Sequence, residues 1–261
     1  MQAAIEKMEM TVFQMLPVLV INLDRSRERW ERIADSARQA GLTVQRVAAV
    51  DGAAIPSSAR RNFDAVMFRR NHGAAVLPGE YGCYLSHLNA LQAVVDNGFE
   101  LAVIAEDDIQ MNPDLEKRVR AMFEAYPRME LLKLVNHRIK GFIRYATSAL
   151  GDEVGRCIHG PQGSGACYAV TQQGARKLLE ALGVMSIPYD VALERGWATG
   201  VETFTVRLPL VAFENTSRAD TTIATRKEYS GAKLPVLMRI SVLFFRAREY
   251  ISRVSYAVRG K

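Results

Sequence analysis

The chain has 261 residues, 49% of them apolar and 24% charged, which suits one sizeable core and excludes a disordered protein. Three cysteines, Cys83, Cys157 and Cys167, are odd in number and lack a CxxC spacing, which argues against a disulfide framework or zinc site and fits a reducing compartment. The net charge of +6 sits entirely in residues 233–261, where seven basic residues face Glu249 alone, so the neutral body is not expected to bind nucleic acid.

The first fifteen residues contain Glu6, Lys7 and Glu9 and lack a signal peptide's apolar segment; a flexible N-terminal extension is expected over 1–15. Residues 17–22 are apolar up to Asn22 and read as a first buried strand. Ser26 is placed to cap a helix over 27–40, with Glu28 in its first turn and Gly41 past its end. A second strand spans 43–50, and this strand-helix-strand opening implies parallel strands with a right-handed crossover. Residues 53–78 carry Arg60, Arg61, Arg69 and Arg70 and are expected to form a mobile loop with a short helix. Leu85, Leu88, Leu91 and Val95 share one face of a helix over 80–97. A strand at 101–105 follows, then a helix opened by Pro113 and ending near Tyr126, and a strand over 131–135. Residues 137–160 read as irregular or hairpin-like, 166–171 as a strand, 174–182 as a helix and 203–208 as a late strand. No apolar run is long enough to span a bilayer. One domain over 16–232 with a tail over 233–261 is the expected organisation.

The most informative stretch is Leu101-Ala102-Val103-Ile104-Ala105-Glu106-Asp107-Asp108. Its unbroken apolar run reads as a strand buried on both faces, and in open α/β sheets ligands bind beyond the carboxyl ends of such strands. Three adjacent acids repel one another, and a divalent cation with a preference for oxygen, Mg²⁺ or Mn²⁺, would relieve that. In an extended chain Glu106 and Asp108 point one way and share the metal, while Asp107 points back and ties down the loop. A solvated acidic turn is the alternative. At the end of the first strand, Asn22 and Asp24 are placed to hydrogen-bond a base or ribose, and Arg25, Arg27 or Arg29 to face a diphosphate; solvated arginines at a helix start are the alternative. No Gly-rich phosphate loop follows. In Gly79-Glu80-Tyr81-Gly82-Cys83-Tyr84-Leu85-Ser86-His87, Glu80 suits a helix's first turn. His87 is read as a core or supporting group and Cys83 as packing.

These three motifs, in this order, resemble glycosyltransferase family 25, which contains bacterial lipopolysaccharide and lipooligosaccharide glycosyltransferases and is related to collagen galactosyltransferases. Further matches lie in residues 163–168, 174–179 and at Pro188-Tyr189-Asp190, and the resemblance covers about 16–226. It implies an α/β, GT-A-like Rossmann-type sheet, mostly parallel and flanked by helices. It also implies an inverting transfer from UDP-galactose or UDP-glucose to a saccharide acceptor. Residues 106–108 would stand for the family's DxD motif, with Glu106 and Asp108 as metal ligands and Asp107 near the donor. Asp190 would be the base that deprotonates the acceptor hydroxyl, with helix capping as its alternative and Asp152, Glu153 and Glu202 as weaker candidates. Arg226, after Asp220-Thr221-Thr222-Ile223, would close over the diphosphate. The loop over 163–165 lets backbone approach a sugar, or is a plain turn. Asn136, His137 and His159 lie on loops near the expected site and read as surface groups.

The tail follows its own pattern. Val236, Ile240, Leu243, Ala247, Ile251, Val254 and Val258 form one helical stripe beside Arg239, Arg246 and Arg253, with Phe244, Phe245, Tyr250 and Tyr256 as interfacial aromatics. This composition fits a basic amphipathic C-terminal helix, over 235–259, lying on anionic lipid; packing on the domain or on a second subunit is the alternative. The expected protein is thus a cytoplasmic hexosyltransferase, peripheral on the inner face of the cell membrane, acting on a lipid-linked or oligosaccharide acceptor. A catalytically silent saccharide-binding or assembly protein of the same fold is the rival, and a nucleotidyltransferase a third possibility.

Overall fold

The computed structural model describes residues 15–214, 231–235 and 239–259. In chain order its elements begin with β1 (Val18–Asn22), α1 (Arg27–Gln39), β2 (Val44–Ala48), α2 (Ala65–His72), α3 (Pro78–Asp96) and β3 (Leu101–Glu106). They continue with β4 (Ile109–Gln110), α4 (Leu115–Ala125), β5 (Leu131–Lys133), β6 (Lys140–Thr147), β7 (Glu153–His159) and β8 (Cys167–Thr171). The last are α5 (Gln172–Ala181), α6 (Tyr189–Leu193), α7 (Gly196–Thr199), β9 (Thr203–Val206), β10 (Ala212–Phe213) and α8 (Ile240–Val258).

Eight strands form one sheet in the order β2-β1-β3-β8-β5-β9-β7-β6. β1 lies parallel between β2 and β3, and β5 is parallel to β9. β8 runs antiparallel between β3 and β5, and β7 antiparallel between β9 and β6. Six of the eight strands therefore point the same way, the mostly parallel α/β sheet that was expected. Successive residues of β1 and β3 go to opposite faces: Val18, Val20, Val103 and Ala105 join one core, and Leu19, Ile21, Ala102 and Ile104 the other. The first core is covered by α1 and α4, the second by α3, α5 and α6. Burial on both sides explains the unbroken apolar runs, each larger side chain contributing about 1.5–3 kcal/mol.

Residues 53–78 carry the expected short helix, α2, reached through two 3-10 turns; its Phe68 is fully buried and its first turn is capped by the Asp64 carboxylate accepting from Met67 N at 2.8 Å. Of the two readings for residues 137–160 the hairpin is the one found, as β6–β7, with a register shift between Arg144 and Ala146. Ser26 precedes α1 but its hydroxyl makes no cap bond; its carbonyl instead accepts from Asn22 Nδ2 at 3.0 Å. The chain leaves β7 at His159, climbs through residues 160–166, and starts β8 beside Ala105, so that loop arrives at the edge where β1 and β3 end.

The apolar stripe of α8 does not face the domain. The opposite side does: Val242 and Ala257 are buried there and Phe245 packs on the second core, while Glu249 takes Arg195 in a two-point ion pair at 2.6 and 2.8 Å, Arg253 reaches Glu194 at 2.8 Å, and Tyr256 OH donates to Val201 O and accepts from Thr203 N.

Candidate active site

The site grows from the carboxyl ends of β1 and β3, where Ile21 stands opposite Glu106. Asn22 Nδ2 donates to Asp107 Oδ2 at 2.6 Å, so the two polar motifs that the sequence separates by 85 positions are joined directly. The Asn22 amide is fully committed, since Oδ1 accepts from Arg46 Nε at 2.9 Å and Nδ2 also serves Ser26 O. It clips the loop, with both ends of the amide engaged by protein groups. Arg29 in α1 pairs with Asp107 Oδ1 at 2.6 Å and stands 3.9 Å from Asp108 Oδ2.

The three acids thus take different parts. The strand ends at Glu106 and the chain turns at once, so the alternation expected of an extended segment stops there. Asp107 ties down the loop, as expected, with both oxygens occupied. Burial pushes its carboxyl up, against the pull of Arg29 and Asn22. Asp108 is pushed up to about 7, first by burial and then by Glu106, with Arg29 opposing. Its Oδ1 is buried without a hydrogen-bond partner among the described residues. A buried acceptor left unmet is costly.

Glu106 turns toward α3, its Oε1 lying 3.2 Å from His87 Nε2. The other ring nitrogen of His87 lies 3.2 Å from Tyr168 OH, which is 2.8 Å from Tyr189 OH, and the imidazole stacks on Tyr189 at 4.1 Å. His87 reaches this position because α3 docks closely. A Cβ on Gly82 would sit 2.5 Å from Val50 O, and one on Gly52 would sit 1.8 Å from Pro78 O. Ser86 Oγ accepts from Val50 N at 2.8 Å and donates to Gly82 O at 2.7 Å. Glu80 Oε2 accepts from Leu77 N and closes the first turn. Most of this dense segment is therefore used to fasten a helix, which presents Cys83 and His87 to Glu106. The ligand atoms of those three lie within 4.8 Å of one another. Burial and the nearby acids Glu106 and Asp190 push the Cys83 thiol well up.

Asp190 stands in the first turn of α6, after Pro188, rather than at the cap; its Oδ1 accepts from Val191 N at 2.9 Å. Burial raises its carboxyl most, then Glu194, against Lys133, with a smaller rise from Glu106. It therefore belongs to the same electrostatic cluster as Glu106. A Cβ on Gly165 would meet the Tyr189 ring at 3.3 Å and His87 Nε2 at 3.8 Å, so the loop over 163–165 faces this cluster.

Sequence reasoning missed what holds that loop. Glu194 is fully buried and accepts from Gln162 N and Gly163 N, both at 2.9 Å. Lys133 Nζ reaches Glu194 Oε1 at 3.1 Å and Gly163 O at 3.2 Å. The one available signal was a lysine inside the apolar run 131–135, which cannot be buried without a partner.

Asp24 is exposed and pairs with Arg46 at 2.5 Å, and Arg25 pairs with Asp51, both at the β1–β2 edge. Asp152 is held by Arg118, Glu153 by Arg144 and Arg207, and Glu202 by Arg156, which leaves these weaker base candidates in ion pairs around β7 and β9. Asn136 donates to Thr205 Oγ1, His137 stacks on Phe213 and His159 on Tyr250 of α8. Arg226 and residues 220–223 lie outside the described residues.

The model of glycosyltransferase family 25 (LPS biosynthesis protein) matches residues 15–193. Among curated relatives, procollagen galactosyltransferase 1 of Danio rerio is 28% identical over 118 residues, 44% of this chain and 20% of the relative. The inactive glycosyltransferase 25 family member 3 of Homo sapiens is 29% identical over 170 residues, 62% of this chain and 28% of the relative. Its probable inactive counterpart in Rattus norvegicus is 26% identical over 226 residues, 78% of this chain and 39% of the relative. The chain thus spans between a fifth and two fifths of the length of these relatives. With the acidic strand exit, the docked α3 segment and the loop over 163–165 gathered at one sheet edge, and the family match running through all three, the chain belongs to glycosyltransferase family 25.

Proposed function

We propose that the chain transfers a hexose, galactose or glucose, from a UDP-sugar to a lipid-linked or free saccharide acceptor, with inversion, in lipopolysaccharide, lipooligosaccharide or other surface-glycan synthesis. The observation that carries this reading is the buried Asp108 Oδ1, without a hydrogen-bond partner among the described residues, beside Glu106 at the end of two parallel strands. The residues fit Mn²⁺ or Mg²⁺: hard carboxylate oxygens, mutual repulsion that raises Asp108, and one unmet acceptor. Glu106 and Asp108 would hold the ion, a choice supported by the engagement of both Asp107 oxygens with Arg29 and Asn22. When bound, the cation takes up charge on the departing UDP.

The remaining work falls to the chain. Asp190, with its raised carboxyl, removes the proton from the acceptor hydroxyl as that oxygen attacks, since a base poised nearer neutrality is the stronger one. Asp24 and Arg25 flank the donor at the β1–β2 edge, and Arg29 balances the acids before donor arrives. Residues 163–165 offer backbone to the sugar. Three free thiols suit a cytoplasmic enzyme.

A thermal-shift panel of UDP-sugars, with and without Mn²⁺, tests this reading: one donor should stabilise strongly, and only with the cation. Zinc belongs in the panel, because Cys83, His87 and Glu106 form a rival donor set of the kind zinc prefers. The second reading, a silent saccharide-binding or assembly protein, draws support from relatives whose names call them inactive. Calorimetry that detects acceptor binding but no UDP-sugar binding would decide for it.

A further inference from the structure

Helices that pack on a domain normally turn their apolar stripe inward. α8 does the reverse. Ile240 (53% exposed), Leu243 (66%), Phe244 (75%), Ile251 (69%) and Val258 (50%) face outward. The inner face is held by the Arg195–Glu249 and Arg253–Glu194 pairs, by Tyr256, and by the smaller apolar contacts of Val242, Phe245 and Ala257. A contiguous exposed apolar face of this size on a soluble surface marks an interaction site.

The face continues onto α2. Ser241 Oγ donates to Arg70 O at 3.1 Å, and a Cβ on Gly73 would sit 2.9 Å from Val242, so the two helices touch. α2 adds exposed Val66 (75%) and Met67, with Arg69 and Arg70 beside them. Arg246, Arg248 and Arg259 are exposed on α8, while its single acid, Glu249, is turned inward onto Arg195. The result is an apolar face rimmed by arginines.

We propose that this face of α8 and α2 docks on an anionic lipid bilayer, the helix lying flat with Leu243, Phe244 and Ile251 among the acyl chains and the arginines at the phosphates. No described helix is long and apolar enough to cross a membrane, which fits a helix lying in the interface. Charge decides between lipid and a second copy. A two-fold contact through this face would bring the same arginines of both copies together, whereas an anionic surface attracts every one of them. The docking is independent of the transfer reaction.

The test floats the full chain with vesicles of phosphatidylcholine alone and of phosphatidylcholine mixed with phosphatidylglycerol, at low and high salt. The chain should float with the mixed vesicles only, and less at high salt. Leu243→Ser with Phe244→Ser should abolish flotation while the melting temperature holds, because both side chains are exposed in the free protein. Arg246→Ala with Arg248→Ala should weaken the partition by about thirtyfold. The proposal is overturned if the chain ignores anionic vesicles, if both variant pairs float as the parent does, or if sedimentation shows a dimer that Leu243→Ser with Phe244→Ser splits.

Discussion

Two charge clusters, one buried and one partly open, lie side by side in this molecule and have been built in opposite ways. In the first, Glu194 meets Lys133, Arg253 and two backbone N–H groups, and despite full burial its carboxyl is held below the usual range by those partners. In the second, Glu106, Asp108 and Asp190 are under-compensated: burial and like charge push Asp108 and Asp190 up, and one Asp108 oxygen has no described partner. The satisfied cluster holds the loop over 163–165 in place. The unsatisfied one is where chemistry is expected, because perturbed carboxyls gather at functional sites. The clusters share Asp190, whose carboxyl is raised by Glu194 and Glu106 alike and lowered by Lys133.

The sharpest way to break this contrast is Glu194→Gln. It leaves Lys133 buried beside an uncharged partner and should cost about 3–5 kcal/mol of folding stability, read by urea unfolding. Asp108→Asn should do the opposite: transfer falls by about 10²–10³, comparable to removing a key charge-stabilising group, while the melting temperature holds or rises. If Asp108→Asn keeps full Mn²⁺-dependent transfer, the cation site has been misassigned.

pH separates the clusters next. Asp108 is raised, so its contribution to the metal-free protein is complete below its unfolded value near 4 and is lost as pH rises through about 7. Glu194 is lowered, so its contribution is present above its unfolded value and is lost as pH falls below it. Melting temperature without metal should therefore pass through a maximum in mildly acidic buffer. Mn²⁺ should flatten the alkaline side, and Asp108→Asn should remove it. The smallest effect is expected at Arg25, an exposed partner of Asp51: Arg25→Ala should cost under about 1 kcal/mol of stability. A larger loss of UDP-sugar affinity in that variant would then report contact with the diphosphate.

Some of the site was plain in the chain order. The unbroken run before Glu106 allows only a strand buried on both faces, and Asn22 closes a second such run, so both had to reach the interior of one sheet. That Asp107 would anchor the loop also followed from adjacency of the acids. Its partners did not, because Arg29 and Asn22 lie far away along the chain and are chosen by folding. Glu194 gave no local sign of its role; it is the turn residue that follows the short helix α6, and its partners come from β5, the loop before β8 and α8.

Residue order by itself determined that 17–22, 101–105 and 166–171 are buried strands, where the acids leave the sheet, and that all the excess positive charge belongs to the last 29 residues. These are properties of neighbours along the backbone, set by side-chain period and local composition. Only the tertiary structure decided that β8 runs against β3, that Asp108 Oδ1 has no hydrogen-bond partner among the described residues while Asp107 is satisfied, and that α8 turns Arg253 and Glu249 inward and Leu243, Phe244 and Ile251 out. The period of a helix locates its apolar stripe but not the direction in which that stripe points. That direction depends on which distant groups, here Glu194 and Arg195, offer the stronger pairing.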